Sequence, residues 1–268
     1  MGADVLRREL ADHWRALIAW SAGAILLSVT YISFYPSIHA SGAGIQQLLN
    51  SLPAALRNAF LGNGVSYLSP AGYLGTELFG LLVPVLLLVM GVLAGSRALA
   101  AEEKDGTIDL ILSTPLRRRR LVIEKAVGAL VPLGAIVAAV WLAVTLIGPS
   151  QGLTVSLGRL AAALVAVALL GAGFGMVAFV VASATASPSL GGGVAAALAV
   201  AMYVLNVVGS VVPALTGFAN AVSPFHWDGG PGVLTDGVAW SGMLLLIACP
   251  IVLLGLAIVV YDRRDLMA

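Results

Sequence analysis

Six long apolar stretches alternate with short polar segments along the 268-residue chain. A helix needs about 20 consecutive apolar residues to cross the hydrocarbon core of a bilayer, and each stretch is about that long. The pattern predicts an all-α polytopic membrane protein, with one transmembrane domain over residues 1–268. The predicted spans cover residues 16–35, 76–98, 124–147, 159–184, 191–213 and 238–260.

Three segments outside these spans also carry structural signals. Residues 3–17 place apolar side chains on one helical face, which predicts an amphipathic helix lying on the inner leaflet. Residues 36–75 have the same spacing, and Pro53 is expected to divide them into two short helices that form a lid on the outer leaflet. Residues 214–237, rich in Pro, Gly and aromatic side chains, predict a structured turn.

The composition supports a membrane location. The chain is 60% hydrophobic and 10% charged, whereas soluble domains are about 25% charged. A net charge of +1 gives no reason to expect nucleic-acid binding. The abundance of Ala, Gly, Val and Arg suggests a prokaryotic source, so we expect a multi-pass protein of the plasma membrane.

The distribution of positive charge predicts the orientation. Of the fourteen Lys and Arg residues, three precede the first span, seven lie in residues 97–127, and two follow the last span. These twelve are on the cytoplasmic side if the N-terminus is cytoplasmic, and only Arg57 and Arg159 are outside. Both termini are therefore predicted to be cytoplasmic.

No catalytic or metal-binding motif stands out. The sequence has no P-loop, and its three histidines and single cysteine are scattered. The string GPSQG, residues 148–152, formally matches the nucleophile-elbow pattern, and an intramembrane enzyme using Ser150 is a third hypothesis. Because this string joins two spans, we interpret it as a loop. No catalytic, cofactor-binding or metal-binding residue is predicted.

Polar groups inside the spans are few. Glu77 is predicted to be a boundary residue rather than an ion-coupling site, and Asn206 an interhelical hydrogen-bonding residue rather than a substrate contact. Both residues are candidates for a substrate path or for helix packing. The scarcity of polar groups favours hydrophobic or amphipathic cargo.

The charged segment 97–127 divides into three helical pieces. The second span is expected to continue as helix to Glu103 and to end at Asp105-Gly106. Thr107 can cap a short apolar helix over residues 108–113, and Thr114-Pro115 can start the helix that leads into the third span. The short helix is too short to cross a membrane, so it needs a partner surface.

The string EEKDGTIDLILSTPLRRRRLVIEKAV in this segment resembles the first cytoplasmic loop of ABC-2 type permeases, the membrane subunits of ABC exporters. The C-terminal YDRRDL and the string SPFHWDGG are also similar to family segments. The unbroken run of four arginines departs from the usual mixture of residues there. The matching positions are Glu102, Glu103, Gly106, Thr107, Asp109, Leu110, Ile111, Leu112, Thr114, Pro115 and Lys125.

The resemblance implies two copies of an ATP-binding cassette ATPase as partners, with ATP and Mg on that partner and no cofactor in this chain. It also implies a second permease subunit, identical or homologous, and transport outward. An ATP-independent secondary transporter or a membrane assembly scaffold is the alternative, and a neighbouring ATPase gene would discriminate. The residues expected to couple to the ATPase are Glu102, Glu103, Gly106, Thr107, Ile108, Asp109, Leu110, Ile111, Leu112, Thr114 and Pro115, and lipid or ATPase contacts are expected at Arg117, Arg118, Arg119 and Arg120.

Overall fold

The described backbone is almost entirely helical. The computed structural model describes the backbone of residues 3–53, 66–100 and 118–263, and the side chains of residues 14–53, 66–100 and 119–263. Six of its helices are long and apolar enough to cross a membrane, which confirms the predicted fold class. We name them spans 1 to 6: Trp14–Ala40, Pro70–Arg97, Arg119–Gln151, Leu157–Thr185, Pro188–Val211 and Trp240–Asp262.

The boundaries of the first two spans differ from the predictions. The helix that contains span 1 runs without a break from Ala3 to Ala40, so no turn separates the predicted interfacial helix from the span. It also continues past Pro36, where the apolar run was expected to end. Span 2 begins at Pro70, six residues earlier than predicted, because Ser69 caps it by accepting a hydrogen bond from the Gly72 amide at 3.0 Å.

Short helices form the connections on the predicted outer side. Helix Gly42–Ser51 is followed by Leu52, whose backbone is extended. Pro53 comes next, and a proline disfavours helical backbone angles at the residue before it. The second half of the predicted lid falls partly on residues 54–65, outside the described residues. Between spans 5 and 6 lie helices Pro213–Val222, Pro224–Trp227 and Val233–Asp236, with a 3-10 turn at Gly230–Gly232.

Helix Pro213–Val222 folds back along span 5. A Cβ atom placed on Gly209 would collide with Ala219, and the Ser223 hydroxyl donates to the Met202 carbonyl at 3.0 Å. Met202 lies nine residues before Val211, which is roughly 14 Å along a helix. The segment predicted to be a turn is thus a re-entrant helix that descends beside the membrane-spanning bundle. We call it the re-entrant helix.

Spans 2 and 4 form the centre of the bundle. In the most apolar 18-residue stretches of spans 2 and 4, 50% and 67% of the residues are buried. In the corresponding stretches of spans 1, 5 and 6, at most 17% are buried. Gly91 and Gly95 of span 2 face Gly171 and Gly175 of span 4, and a Cβ atom on Gly175 would lie 2.7 Å from the Gly91 carbonyl oxygen. Gly171 and Gly175 form a GxxxG pattern, which predicts close packing of span 4 on another helix. The structure confirms it, since there is no room for a side chain between these backbones.

Span 2 contains an irregular stretch near its predicted outer end. Residues Gly75–Leu82 form a π-helix, and the Val83 amide donates to the Leu78 carbonyl, five residues earlier. Pro84 follows at once, and its missing N–H removes an α-helical hydrogen bond. The Gly75 backbone packs against the Pro231 carbonyl, so this stretch contacts the outer segment that precedes span 6.

Candidate functional site

The described residues frame the charged segment at its two ends. The last α-helical stretch of span 2 ends at Arg97, where the Ala98 amide donates to the Ala94 carbonyl at 3.1 Å. A turn at residues 98 and 99 interrupts the predicted continuous helix, and Ala100 is helical again, while the predicted continuation to Glu103 lies outside the described residues. Residues 101–117 and the side chain of Arg118 lie outside the described residues. The predicted coupling residues in that interval, Glu102, Glu103, Gly106, Thr107, Ile108, Asp109, Leu110, Ile111, Leu112, Thr114 and Pro115, remain predictions, as does a contact role for Arg117 and Arg118.

Both ends of the charged segment are fixed in one apolar cluster. Leu99, near the start of the segment, and Leu121 and Val122, near its end, are fully buried together with Phe179 of span 4 and Tyr261 of span 6. Because the predicted orientation places it on the cytoplasmic side, we call this group of side chains the cytoplasmic cluster. Residues of spans 3, 4 and 6 meet in it with Leu99, which follows span 2, so both ends of the charged segment are packed against the bundle.

Lys125 is buried next to the cytoplasmic cluster, with 3% of its surface exposed. It lies one turn beyond Leu121 on span 3 and occupies a position at which the chain resembles ABC-2 permeases. A lysine that served only to fix the topology would extend its ammonium group toward water or lipid headgroups. Its burial therefore indicates a structural role at the loop end.

Arg119 and Arg120 are exposed beside the same cluster. The Arg120 guanidinium pairs with Glu124 one turn along its own helix, with Nε and Oε1 2.7 Å apart. The Arg119 Nε atom lies 3.9 Å from Oδ2 of Asp262, which connects the start of span 3 to the end of span 6. Exposed ion pairs of this kind contribute about 0–1 kcal/mol. Both side chains keep surface available for lipid or a partner protein.

Glu77 lies in the π-helical stretch of span 2 and is half-buried. Its carboxylate accepts a hydrogen bond from the Tyr67 hydroxyl at 2.7 Å. Burial and this hydrogen bond raise the pKa of Tyr67 well above its usual value. The sequence gives no signal for the pair, because the turn before span 2 is what brings Tyr67 back onto Glu77.

Asn206 is half-buried on span 5. The hydrogen bond to another helix predicted for its side chain is not found in the described part of the chain. The polar connection from the re-entrant helix to span 5 comes instead from Ser223, whose partner is the Met202 carbonyl. Sequence reasoning missed Ser223, although its position before Pro224 is typical of a residue at a helix start.

Asp228 is a buried carboxylate in the segment before span 6, with 3% of its surface exposed. Its Oδ1 accepts a hydrogen bond from the Gly230 amide at 2.9 Å. Burial raises the pKa of Asp228 to about 7, and the Gly230 hydrogen bond opposes that rise. The outer segment thus contains an acid that titrates near neutral pH.

The structure gives no support to the hypothesis of an intramembrane enzyme that uses Ser150. The Ser150 hydroxyl donates to the Ile147 carbonyl at 2.7 Å, which closes its own turn. Within the described ranges, no hydrogen bond joins Ser150, His226 and Asp228. The same ranges contain no group of three His, Cys, Asp or Glu residues that could hold a metal ion.

A comparison with protein families identifies the chain. A family model described as "ABC-2 family transporter protein" matches residues 3–266, which include the charged segment and all six spans. No curated protein sequence matches the chain significantly. The match and the six apolar helices agree on a multi-pass membrane protein that serves as the permease of an ABC transporter. The chain therefore belongs to the ABC-2 transporter family.

Proposed function

We propose that this permease is energised by a separate ATP-binding cassette ATPase, which docks on the segment 97–127 from the cytoplasm. Residues 108–113 form the coupling helix, the short helix that contacts the ATPase. Glu102 and Glu103 transmit its motion to span 2. Two ATPase copies bind ATP and Mg, and a second permease subunit, identical or homologous, completes the transporter in a prokaryotic plasma membrane.

The observation that carries this proposal is the cytoplasmic cluster. Leu99 and Leu121 lie near the two ends of the docking segment and share a buried cluster with residues of spans 4 and 6. A segment that joined two spans only as a linker would not need ends buried in the bundle. A coupling segment needs such ends, because force applied to it must reach the helices that move the cargo.

The tight contact of spans 2 and 4 supports the next step of the proposed pathway. Gly95 lies two residues before Arg97, at which span 2 ends, and its backbone touches that of Gly175. Backbones packed this closely move together, because no side chain between them can yield. Motion at the loop would then reach the central helix of the bundle.

The cargo proposed is a hydrophobic or amphipathic compound, moved outward. The described spans contain few polar groups, and the polar contacts proposed for a substrate path are Glu77 and Asn206. A small ion would need several polar or acidic ligands at mid-depth.

The test is a double substitution, Ile111→Asp plus Leu112→Asp, in the full-length chain expressed with the ATPase encoded beside it. We expect loss of ATPase co-purification and of transport-stimulated ATP hydrolysis, because two carboxylates cannot enter an apolar docking groove. The matched control, Gln47→Asp plus Asn50→Asp, adds the same charge at exposed positions on the predicted outer side and should retain both.

Unchanged co-purification and hydrolysis in the Ile111→Asp plus Leu112→Asp protein would contradict the proposal. Transport that persists without any ATPase would favour the ATP-independent secondary transporter. Stable assembly with other membrane proteins and no transport would favour the scaffold.

A further inference from the structure

A cavity of about 250 Å³ lies between spans 4, 5 and 6, on the side away from the charged segment. Phe174 of span 4 and Leu246 of span 6 form its floor, and Leu198 of span 5 and Val222 of the re-entrant helix stand at its rim. Trp227 and Cys249 also line the cavity. We call this cavity the lateral pocket.

The lateral pocket opens toward the membrane. Its floor residues Phe174 and Leu246 are 4% and 2% exposed, whereas the rim residues Leu198 and Val222 are 37% and 38% exposed. The mouth therefore lies between span 5 and the end of the re-entrant helix. Neither of these elements is covered by another described helix on that side.

The mouth is at the depth of the hydrocarbon core. Val222 directly precedes Ser223, whose hydroxyl reaches the Met202 carbonyl, roughly 14 Å inside the outer end of span 5. The hydrocarbon core is about 30 Å thick, so this depth is near its middle. Material that enters the pocket sideways at this level comes from the lipid chains.

The walls offer carbon and sulfur atoms and almost nothing polar. The two nearby polar side chains are already used inside the protein: Ser223 donates to the Met202 carbonyl, and the Trp227 indole N–H donates to the Asn220 carbonyl at 3.0 Å. Apolar cavities of about 150 Å³ stay free of water and bind small hydrocarbons. A larger cavity with the same lining suits a longer hydrocarbon chain.

We propose that the lateral pocket is a binding site for the acyl chain of a membrane lipid. The end of the chain rests on Phe174 and Leu246, and the rim residues enclose its middle. The site does not depend on the ATPase partner and stands or fails independently of the proposed transport mechanism. Cys249, the only cysteine of the chain, lies in its wall and can report whether it is occupied.

The first test uses photoreactive lipids. The full-length protein is placed in phosphatidylcholine nanodiscs with a trace of phosphatidylcholine that carries a diazirine at the end of one acyl chain. We expect adducts at Cys249 and Met202, and few when the diazirine is beside the headgroup. Leu198→Trp should reduce these adducts about fivefold because the indole fills the pocket. Val200→Trp, an exposed position two residues away on span 5, should change them less than about twofold.

The second test needs no substitution. Cys249 of the wild-type protein in detergent is treated with N-ethylmaleimide. Rising lysophosphatidylcholine should slow the reaction, and phosphocholine alone should not. Equal adducts in the two Trp variants together with no protection of Cys249 would show bulk lipid contact only and overturn the proposal. Crosslinks from Cys249 to a second copy of the chain would also overturn it, since the pocket would then be part of a subunit interface.

Discussion

Asp228 is a buried carboxylate whose charged form is poorly stabilised. It has one hydrogen-bond donor, the Gly230 amide, and burial raises its pKa from 3.8 to about 7. The folded protein therefore holds this proton more tightly than the unfolded chain does. Protonated Asp228 therefore favours the folded state. This contribution to the free energy of unfolding is complete below about pH 4 and is lost as the pH rises to about 7.

We predict that Asp228→Asn removes this pH dependence. The amide oxygen can still accept from Gly230, and no charge has to be buried above pH 7. Thermal unfolding in detergent should show a gain of roughly 4 kcal/mol at most near pH 8 and little change near pH 4. Asp236→Asn, at an exposed position in the same segment, is the matched control and should leave the profile unchanged. If stability depended on pH in the same way in the wild-type, Asp228→Asn and Asp236→Asn proteins, burial of the Asp228 carboxylate would not be the cause of the pH dependence.

The contact of spans 2 and 4 leads to a prediction at the level of packed helices. Gly175→Ala places a methyl group 2.7 Å from the Gly91 carbonyl oxygen, so the two backbones must separate. We expect a loss of about 1–3 kcal/mol of stability in detergent, the usual cost of overpacking.

Gly173→Ala is the control for that substitution. It lies on the same helix, but its new methyl group would sit 3.6 Å from the Cys249 sulfur, an ordinary contact. Its stability should therefore stay the same or rise, because Ala favours the helix more than Gly does. Equal losses in Gly173→Ala and Gly175→Ala would mean that close backbone contact is not the cause.

The helices themselves could largely be predicted from the sequence, because hydrophobic length determines them. The GxxxG pattern of span 4 predicted a close neighbour, but it could not identify Gly91 and Gly95 on span 2 as that neighbour. The re-entrant helix was missed because ten residues cannot cross a membrane, and only contact with span 5 makes such a segment stable. Pairings such as Tyr67 with Glu77 depend on the path of the chain, which local patterns do not encode.

At the scale of the whole molecule, the orientation in the membrane is still a prediction. Arg15, Arg97, Arg119, Arg120, Lys125 and Arg263 lie at one end of the described bundle, and Arg159 lies at the other. The positive-inside rule then places the charged segment in the cytoplasm. The connected cytoplasmic ends of spans 2, 3, 4 and 6 form the base on which an ATPase would act.

We predict that thiol labelling of intact cells will confirm this orientation. In a Cys249→Ser background, Thr154→Cys should react with a membrane-impermeant maleimide, because Thr154 is exposed between spans 3 and 4 on the outer side. Arg119→Cys should react only after the cells are permeabilised. The reverse pattern would contradict the orientation and, with it, the docking of a cytoplasmic ATPase.

The central claim is that the segment between spans 2 and 3 touches the ATPase. Site-specific crosslinking tests it most directly: Leu110→Cys and Gln47→Cys, each in the Cys249→Ser background, are treated with a short bifunctional maleimide in the presence of the ATPase. We predict a covalent permease–ATPase product with Leu110→Cys whose yield changes when ATP is added, and none with Gln47→Cys. No product with Leu110→Cys, or equal products with both, would contradict the claim.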